Sequence, residues 1–307
     1  MEYQRLGQTE LEISRVGFGC WTMGGSRWGK VDDRDSIAAV HQALDLGVNF
    51  FDTADVYGFG HSEEILSQAL GSRRHQVVIA TKFGVSWDKE GNTSRDCSPK
   101  RLVAALEGSL RRLKLDCIPL YQIHWPDWKT PIGAVMEALK ECQRAGKIRY
   151  IGCANFSPDI IREAQKTARL ESLQMPYNIL ERDIEEEVLP FCRDEEIAVL
   201  AYQPLAHGLL SGKYAYGARF GEDDFRSGDR NFQGETFKRN LKLVERLKQV
   251  AARHGKSPGQ VAIRWILDNP AVTSAITGIR NPEQIAENVG AMDWRLSAED
   301  SETISGR

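Results

Sequence analysis

Four side chains in the first half of the chain could share one proton: Asp52, Tyr57, Lys82 and His124. Asp52 opens the stretch DTADVYGFG (52–60), directly after the apolar run 48–51. A turn needs those glycines, but it does not need the tyrosine. Lys82 ends VVIATK (77–82), and His124 ends the segment 118–124. These residue types suit proton transfer to a carbonyl oxygen. A free phenol has a pKa of ~10, too weak an acid–base at neutral pH. A neighbouring ammonium stabilises phenolate and is expected to lower that value, and an aspartate would hold the ammonium in place and charged. A histidine opposite can donate to the carbonyl oxygen and orient it. No metal is required. No side chain donates a hydride, so a bound cofactor would have to supply it. Taken singly, Asp52 could cap a turn, Lys82 could snorkel, His124 could be a satisfied core imidazole and Tyr57 could pack. The joint pattern carries the reading.

That pattern needs elements that bring the four together. Short β-branched runs at 16–20, 48–52, 77–82, 118–124, 149–154, 172–176, 197–202 and 272–277 read as strands. Helical spacing separates them. Ile37, Val40 and Leu44 share a stripe in 35–46, and Leu102, Leu106, Leu110 and Leu113 share one in 99–115. Ser98-Pro99, Ser157-Pro158 and Ser257-Pro258 each pair a capping hydroxyl with proline at the first helical position, and Gly47, Gly71 and Gly146 close their helices. Eight such βα units predict an α/β fold, a (β/α)8 TIM barrel, as a single domain over residues 1–307. Its strand ends would gather Asp52, Lys82, His124, Asn155, Gln174 and Tyr202 at one mouth, with Tyr57 above. Residues 3–15 read as an N-terminal β-hairpin plug. The polar stretch 214–236 reads as a mobile active-site loop or a disordered surface insertion.

Composition narrows the function. The chain has 307 residues, 27% of them charged, and a net charge of −3 with no long block of one sign. Neither nucleic acid nor a membrane is expected as a partner. The N-terminus is too polar for a signal peptide, and no apolar run approaches the ~20 residues of a membrane span. Six scattered cysteines without C-x-x-C spacing read as reduced thiols in a cytoplasmic protein. A doubly wound dinucleotide fold would show G-x-G-x-x-G. Here Gly17-Phe-Gly19 and Gly58-Phe-Gly60 start it, but Thr22 and Glu63 stand at the third glycine.

Over essentially the whole chain the sequence resembles the aldo-keto reductase superfamily. The likeness rests on VGFGCW (16–21), DTADVYG, VVIATK, LYQIHWPD (120–127), GKIRYIGCANFS (146–157), AYQPLAHGLLSGKY (201–214) and IRNPEQIAEN (279–288), in family order and spacing. HWPD and GLLSGK are similar to the bacterial general-stress reductases and the potassium-channel β-subunit branch. The resemblance implies a catalytic tetrad of Asp52, Tyr57, Lys82 and His124. It also implies NADP(H) bound without a Rossmann domain, passing hydride to an aldehyde or ketone while Tyr57 donates the proton. Asn155 and Gln174 match the residues for the nicotinamide carboxamide, and Tyr202 the aromatic stacked on the ring. Gln203, Pro204, Leu205, Ala206 and Gly208 match the pyrophosphate loop, Lys213 a phosphate-binding lysine, and Cys20 and Trp21 the pocket floor. Gly278, Arg280, Gln284, Glu287 and Asn288 match the 2′-phosphate and adenine site. The residues agree there, since Asn281-Pro282 would open a helix directly after Arg280, and a helix N-terminus beside an arginine suits an anion.

Trp21, Tyr57, Trp87, His124 and Trp125 are expected to line the substrate pocket, with Trp128 at its rim. The expected partner is a small carbonyl compound, and the expected state a monomer or weak homo-oligomer. Two departures stand out. Ala154-Asn155 replaces the family's frequent Ser-Asn, which would remove one hydrogen bond to the carboxamide. The chain also stops soon after WRLSAED (294–300), where many members continue into a loop that walls the pocket. Rival readings are a redox-sensing regulatory subunit of the same fold, a barrel metallohydrolase, which lacks H-x-H and H-E-x-x-H, and a phosphate-loop NTPase. For the last, GGSRWGK (24–30) nearly fits, but Val31 replaces the Mg²⁺-binding hydroxyl.

Overall fold

Residue alternation along the strands builds the frame. The computed structural model describes residues 1–25, 31–221 and 224–306, so 26–30, including the glycine–lysine pair of the phosphate-loop-like motif, lie outside the described residues. Eight parallel strands close into a barrel: β3 (Val16–Gly19), β4 (Phe50–Asp52), β5 (Val78–Phe83), β8 (Ile118–Ile123), β9 (Ile148–Ala154), β10 (Ser172–Pro176), β11 (Ala198–Tyr202) and β12 (Val272–Gly278). All eight coincide with the expected runs within a few residues. Cys20 and His124 fall one residue past their strands.

Along β4, β5, β8 and β11 one parity points inward. Phe50, Val78, Ala80, Leu120, Ala198 and Leu200 fill the barrel centre. The other parity, including Phe51, Ile79, Tyr121 and Val199, packs outward on the helices. Because the side-chain period is two, the inward set continues upward as Asp52, Lys82, Gln122 and Tyr202. The barrel thus turns from apolar floor to polar mouth along the same strand faces.

Below, β1 (Tyr3–Arg5) and β2 (Glu12–Ser14) pair antiparallel, and their Leu6 and Ile13 join the barrel-centre cluster fully buried. The hairpin therefore plugs the end opposite the polar mouth.

The helices follow their local signals. α1 (Asp33–Asp45) buries Ala39, Val40 and Ala43, and α3 (Pro99–Leu113) buries Leu102, Leu106, Leu110 and Leu113. Ser98 caps α3 through Arg101 N, and Ser257 forms a full capping box on α8 (Pro258–Leu267). The expected cap at Ser157 is corrected: α5 (Pro158–Gln165) begins with proline there, but the Ser157 hydroxyl makes no capping bond. Gly47, Gly71 and Gly146 all hold positive φ just past a helix, which an L side chain there would resist.

The 214–236 insertion, of which residues 222–223 lie outside the described residues, carries structure that its composition does not announce. It contains two short 3₁₀ turns, Phe225–Ser227 and Arg230–Phe232. Tyr214, Phe220 and Phe232 pack edge-on at 4.9–5.4 Å and join the cluster of α7 (Gly234–His254) and α8. Scattered aromatics supply its core, which a periodicity search does not detect. No helix among the described residues is long and apolar enough to cross a membrane.

Candidate active site

Asp52 and Lys82 end the inward faces of adjacent strands. Lys82 Nζ donates to Asp52 Oδ2 at 2.7 Å and to the Thr53 carbonyl at 2.8 Å, and lies 3.4 Å from the Tyr57 hydroxyl. The Lys82 side chain is fully buried. Burial opposes its charge, but Asp52 and then Tyr57 overcome it and hold the ammonium above its usual range. Tyr57 reaches the group from a 3₁₀ turn (Tyr57–Gly60) in which Gly58 and Phe59 both have positive φ. Its ring meets the His124 imidazole edge-on at 5.8 Å. The structure thus brings Asp52, Tyr57, Lys82 and His124 together at the mouth.

One electrostatic expectation is corrected. Lys82 does favour Tyr57 phenolate, but burial outweighs it and holds the phenol above its ordinary value. The desolvation cost of a phenolate in this pocket exceeds the help of a cation already shared with Asp52. Tyr57 therefore keeps its proton at neutral pH. Burial, then Lys82 and Arg95, hold His124 well below the usual histidine range, so the ring is neutral. His124 N donates to Phe83 O at 2.8 Å, while its buried Nδ1 has no partner among the described residues.

Sequence reasoning missed Gln122. Asp52 Oδ1 accepts from Gln174 Nε2 at 2.8 Å and from Gln122 Nε2 at 3.2 Å. Gln122 stands two residues before His124, so strand parity aims both inward, and that was the available signal. Gly152 makes the space, because a Cβ there would sit 2.3 Å from Ser172 Oγ and 3.1 Å from Gln122 Cγ.

Asn155, at φ 63, links three neighbours: its N–H donates to Gln174 O, its Nδ2 to His124 O at 3.1 Å, and it accepts from the Tyr202 hydroxyl at 2.9 Å. Cys20 is fully buried with its thiol directed at Phe18 O, whereas Trp21 is half-buried against Tyr57 and Phe225. Phe225 comes from the insertion and was also missed. Trp87 packs on Phe59, and Trp125 lies under the Arg95 guanidinium at 4.5 Å. Trp128 stands 74% exposed, away from the packed aromatics.

Beyond β11 the chain makes left-handed steps at Gln203, Ala206, His207 and Gly208, spanning Pro204 and Leu205. Lys213 follows. Burial first, then Arg226 and Arg280, push its ammonium below the usual lysine range. Arg226 was not anticipated, since only folding of the insertion brings it to the other two cations. α9 (Pro282–Val289) starts after Arg280 as expected. Asn281 caps it through Gln284 N, and the Gln284 side chain returns to Arg280 N at 2.8 Å. Gly278 is exposed beside Thr22, Asn288 is buried, and Glu287 accepts from the Ser257 hydroxyl.

A closed eight-stranded parallel barrel with an Asp–Lys–Tyr–His group at its mouth defines a class of carbonyl oxidoreductases. The aldo/keto reductase family model matches residues 15–306, and the chain belongs to that family. It is 42% identical to "Aldo-keto reductase YhdN" of Bacillus subtilis, over 99% of this chain and 93% of that one. It is 36% identical to the "NADH-specific methylglyoxal reductase" of Escherichia coli, over 96% and 95%. Among solved structures, the glycerol dehydrogenase AKR11B4 from Gluconobacter oxydans superposes with a TM-score of 0.93 at 39% identity, covering 99% of this chain and 94% of that one.

Members of this family use a nicotinamide cofactor. The residues present fit an anionic cofactor: Lys213 and Arg280 are each lowered first by burial and then by the Arg226 charge, while Arg226 is paired with Asp224 and raised by it, so positive charge gathers before the N-terminus of α9.

Proposed function

We propose that this chain is an NADP(H)-dependent reductase of aldehydes and ketones, with one barrel domain carrying the whole site. The observation that carries the reading is the fully buried Lys82 ammonium held between Asp52 and the Tyr57 hydroxyl. When bound, the reduced nicotinamide supplies a hydride. The chain's own residues handle the proton and the geometry. Tyr57 Oη gives its proton to the carbonyl oxygen, and Lys82 stabilises the phenolate left behind. Asp52 keeps Lys82 charged and aimed. Gln122 and Gln174 hold Asp52 by its other oxygen, so the carboxylate cannot rotate freely. Neutral His124 orients the carbonyl oxygen without competing as an acid. Asn155 and Tyr202 are bonded to each other beside His124 O, where a carboxamide and a ring face would be recognised.

For the cofactor, the cation cluster of Lys213, Arg226 and Arg280 supports NADP(H), although the Escherichia coli relative bears an NADH-specific name. Trp21, Phe225, Trp87 and Trp125 give the mouth an aromatic lining suited to small carbonyls with apolar or aromatic substituents. The test is NADPH oxidation, followed by absorbance, against a panel including methylglyoxal, benzaldehyde and dihydroxyacetone, repeated with NADH. Turnover with none of them defeats the reading, and turnover with NADH alone defeats its cofactor half.

A further inference from the structure

The turn that carries Tyr57 is tied down at both ends by residues the proton chemistry does not use. Upstream, Asp55 is fully buried, and its Oδ2 accepts from Arg101 Nη2 at 2.6 Å. Arg101 sits in the first turn of α3, and the same Nη2 also donates to Val85 O at 3.0 Å. Val85 begins β6 (Val85–Trp87), which pairs with β7 (Thr93–Arg95) as a hairpin beside the mouth. Downstream, the Phe59 ring packs on Trp87 of that hairpin at 5.5 Å, and Gly91 at the hairpin turn lies against the same ring. The circuit closes on itself, because the Arg101 guanidinium stacks on the Trp87 indole at 5.0 Å. Tyr57 is the middle residue of a five-residue span whose two ends meet the same Arg101–Trp87 stack.

The arrangement is costly if its purpose is stability alone. Asp55 Oδ1 is buried with no hydrogen-bond partner among the described residues. Burial outweighs Arg101 and lifts the Asp55 carboxyl to about 7. An apolar pair of similar volume would be as stable or more so. Phe59, at φ 55, also holds a left-handed conformation that non-glycine residues avoid, so the turn needs outside contacts to keep its shape.

We propose that Asp55, Arg101, Trp87 and Phe59 form a clamp that positions the Tyr57 phenol over Lys82, with the β6–β7 hairpin as its lever. The inference rests on the reading of Tyr57 as the proton donor. The four are positioning residues for the proton step, which they reach only through Tyr57; Trp87, as part of the aromatic lining, is also where substrate would meet the clamp. Hairpin position and acid placement are then coupled, and a substrate that presses on Trp87 seats its own proton donor.

The test uses the full chain with 3-fluorotyrosine at position 57, NADPH and methylglyoxal. Trp87→Ala is expected to broaden or split the ¹⁹F resonance of residue 57. It is expected to lower kcat about ten- to a hundredfold, as misplacement of a reacting group does, with the NADPH Kd unchanged. Trp87→Phe, which keeps a ring against both Phe59 and Arg101, should restore the single resonance and bring kcat to within about threefold of the parent. Asp55→Asn, which weakens the other end, should repeat the Trp87→Ala pattern more mildly. In a Tyr57→Phe background, Trp87→Ala should cause no further loss of kcat. An unchanged ¹⁹F signal in Trp87→Ala overturns the clamp, as does a rise in carbonyl KM alone or an undiminished loss in the Tyr57→Phe background. Failure of the underlying reading looks different: Tyr57→Phe then keeps full turnover while the ¹⁹F response still reports whether the clamp positions the ring.

Discussion

Lys82 Nζ lies 2.7 Å from Asp52 Oδ2, with neither side chain more than 5% exposed. A buried ammonium at that depth is tolerable only while its partner stays charged and in place. The arrangement around the mouth follows from meeting that condition: two glutamines hold Asp52, and the Thr53 carbonyl and Tyr57 hydroxyl use the remaining Lys82 protons.

Tyr57→Phe removes the proton donor and leaves the ring packing intact. It is expected to lower carbonyl reduction about 10²- to 10⁴-fold, with NADPH binding, followed by fluorescence quenching, almost unchanged. Lys82→Met leaves Asp52 buried without its cation and should cost about 3–5 kcal/mol of stability, read as a fall in Tm. Wild-type turnover in Tyr57→Phe sinks the assignment of the acid.

The pH profile follows from two shifts of opposite sign. Burial holds the Tyr57 phenol above its ordinary value despite Lys82, so the proton needed for reduction is present across the neutral range. Burial and the Lys82 and Arg95 charges hold His124 well below 6.5, so the imidazole does not ionise there. Neither Tyr57 nor His124 is therefore expected to inflect reduction kcat between about pH 6 and 9, where the clamp predicts one mild rise as the Asp55 carboxyl ionises at about 7, absent in Asp55→Asn, while alcohol oxidation, which needs phenolate, rises about tenfold per unit with pH. An inflection near 6.5 that persists in Asp55→Asn would show that His124 titrates.

Arg280→Ala removes one cation of the cluster with Lys213 and Arg226. A charge-assisted hydrogen bond contributes about 1.5–3 kcal/mol, so NADPH affinity should fall roughly ten- to a hundredfold and NADH affinity by much less. Titration of both cofactors against the variant checks this. Equal losses refute a role at the 2′-phosphate.

Gln122→Leu separates activity from stability. The substitution loses a donor to Asp52 but also removes a buried carbonyl, Gln122 Oε1, that has no partner among the described residues. The two effects are each about 1–3 kcal/mol and oppose each other, so unfolding free energy should change by less than about 1 kcal/mol. Turnover should still drop several-fold, because Asp52 keeps only Gln174 on that oxygen. Denaturant unfolding and steady-state kinetics on the same preparation decide it, and a neutral kinetic result removes Gln122 from the site.

Much of the architecture was legible in sequence. The runs ending at Asp52 and Tyr202 are short, apolar and rich in aromatic or β-branched residues, so strand existence and parity could be read directly. Ser98, Ser257 and Asn281 announced helix starts, and Ser157 misled only because proline can open a helix without a hydroxyl bond. The insertion was harder. Phe220, Phe225 and Phe232 have no common period, so nothing local says that they pack or that Arg226 turns toward Arg280.

The sequence by itself determined which residue types reach the barrel mouth, because a period of two along a strand sets whether a side chain points in or out. Only the tertiary structure decided how they behave there. Whether Tyr57 is more or less acidic than a free phenol depends on the sum of burial and Lys82, and burial prevails in the folded chain, where the phenol is packed among Trp21, His124 and Lys82. Likewise, that Gln122 and Gln174 converge on one oxygen of Asp52 follows from the closing of the sheet, which brings β10 across from β4 at 122 residues' separation. Parity is a local property of the backbone, whereas desolvation and convergence exist only once distant strands share one cavity.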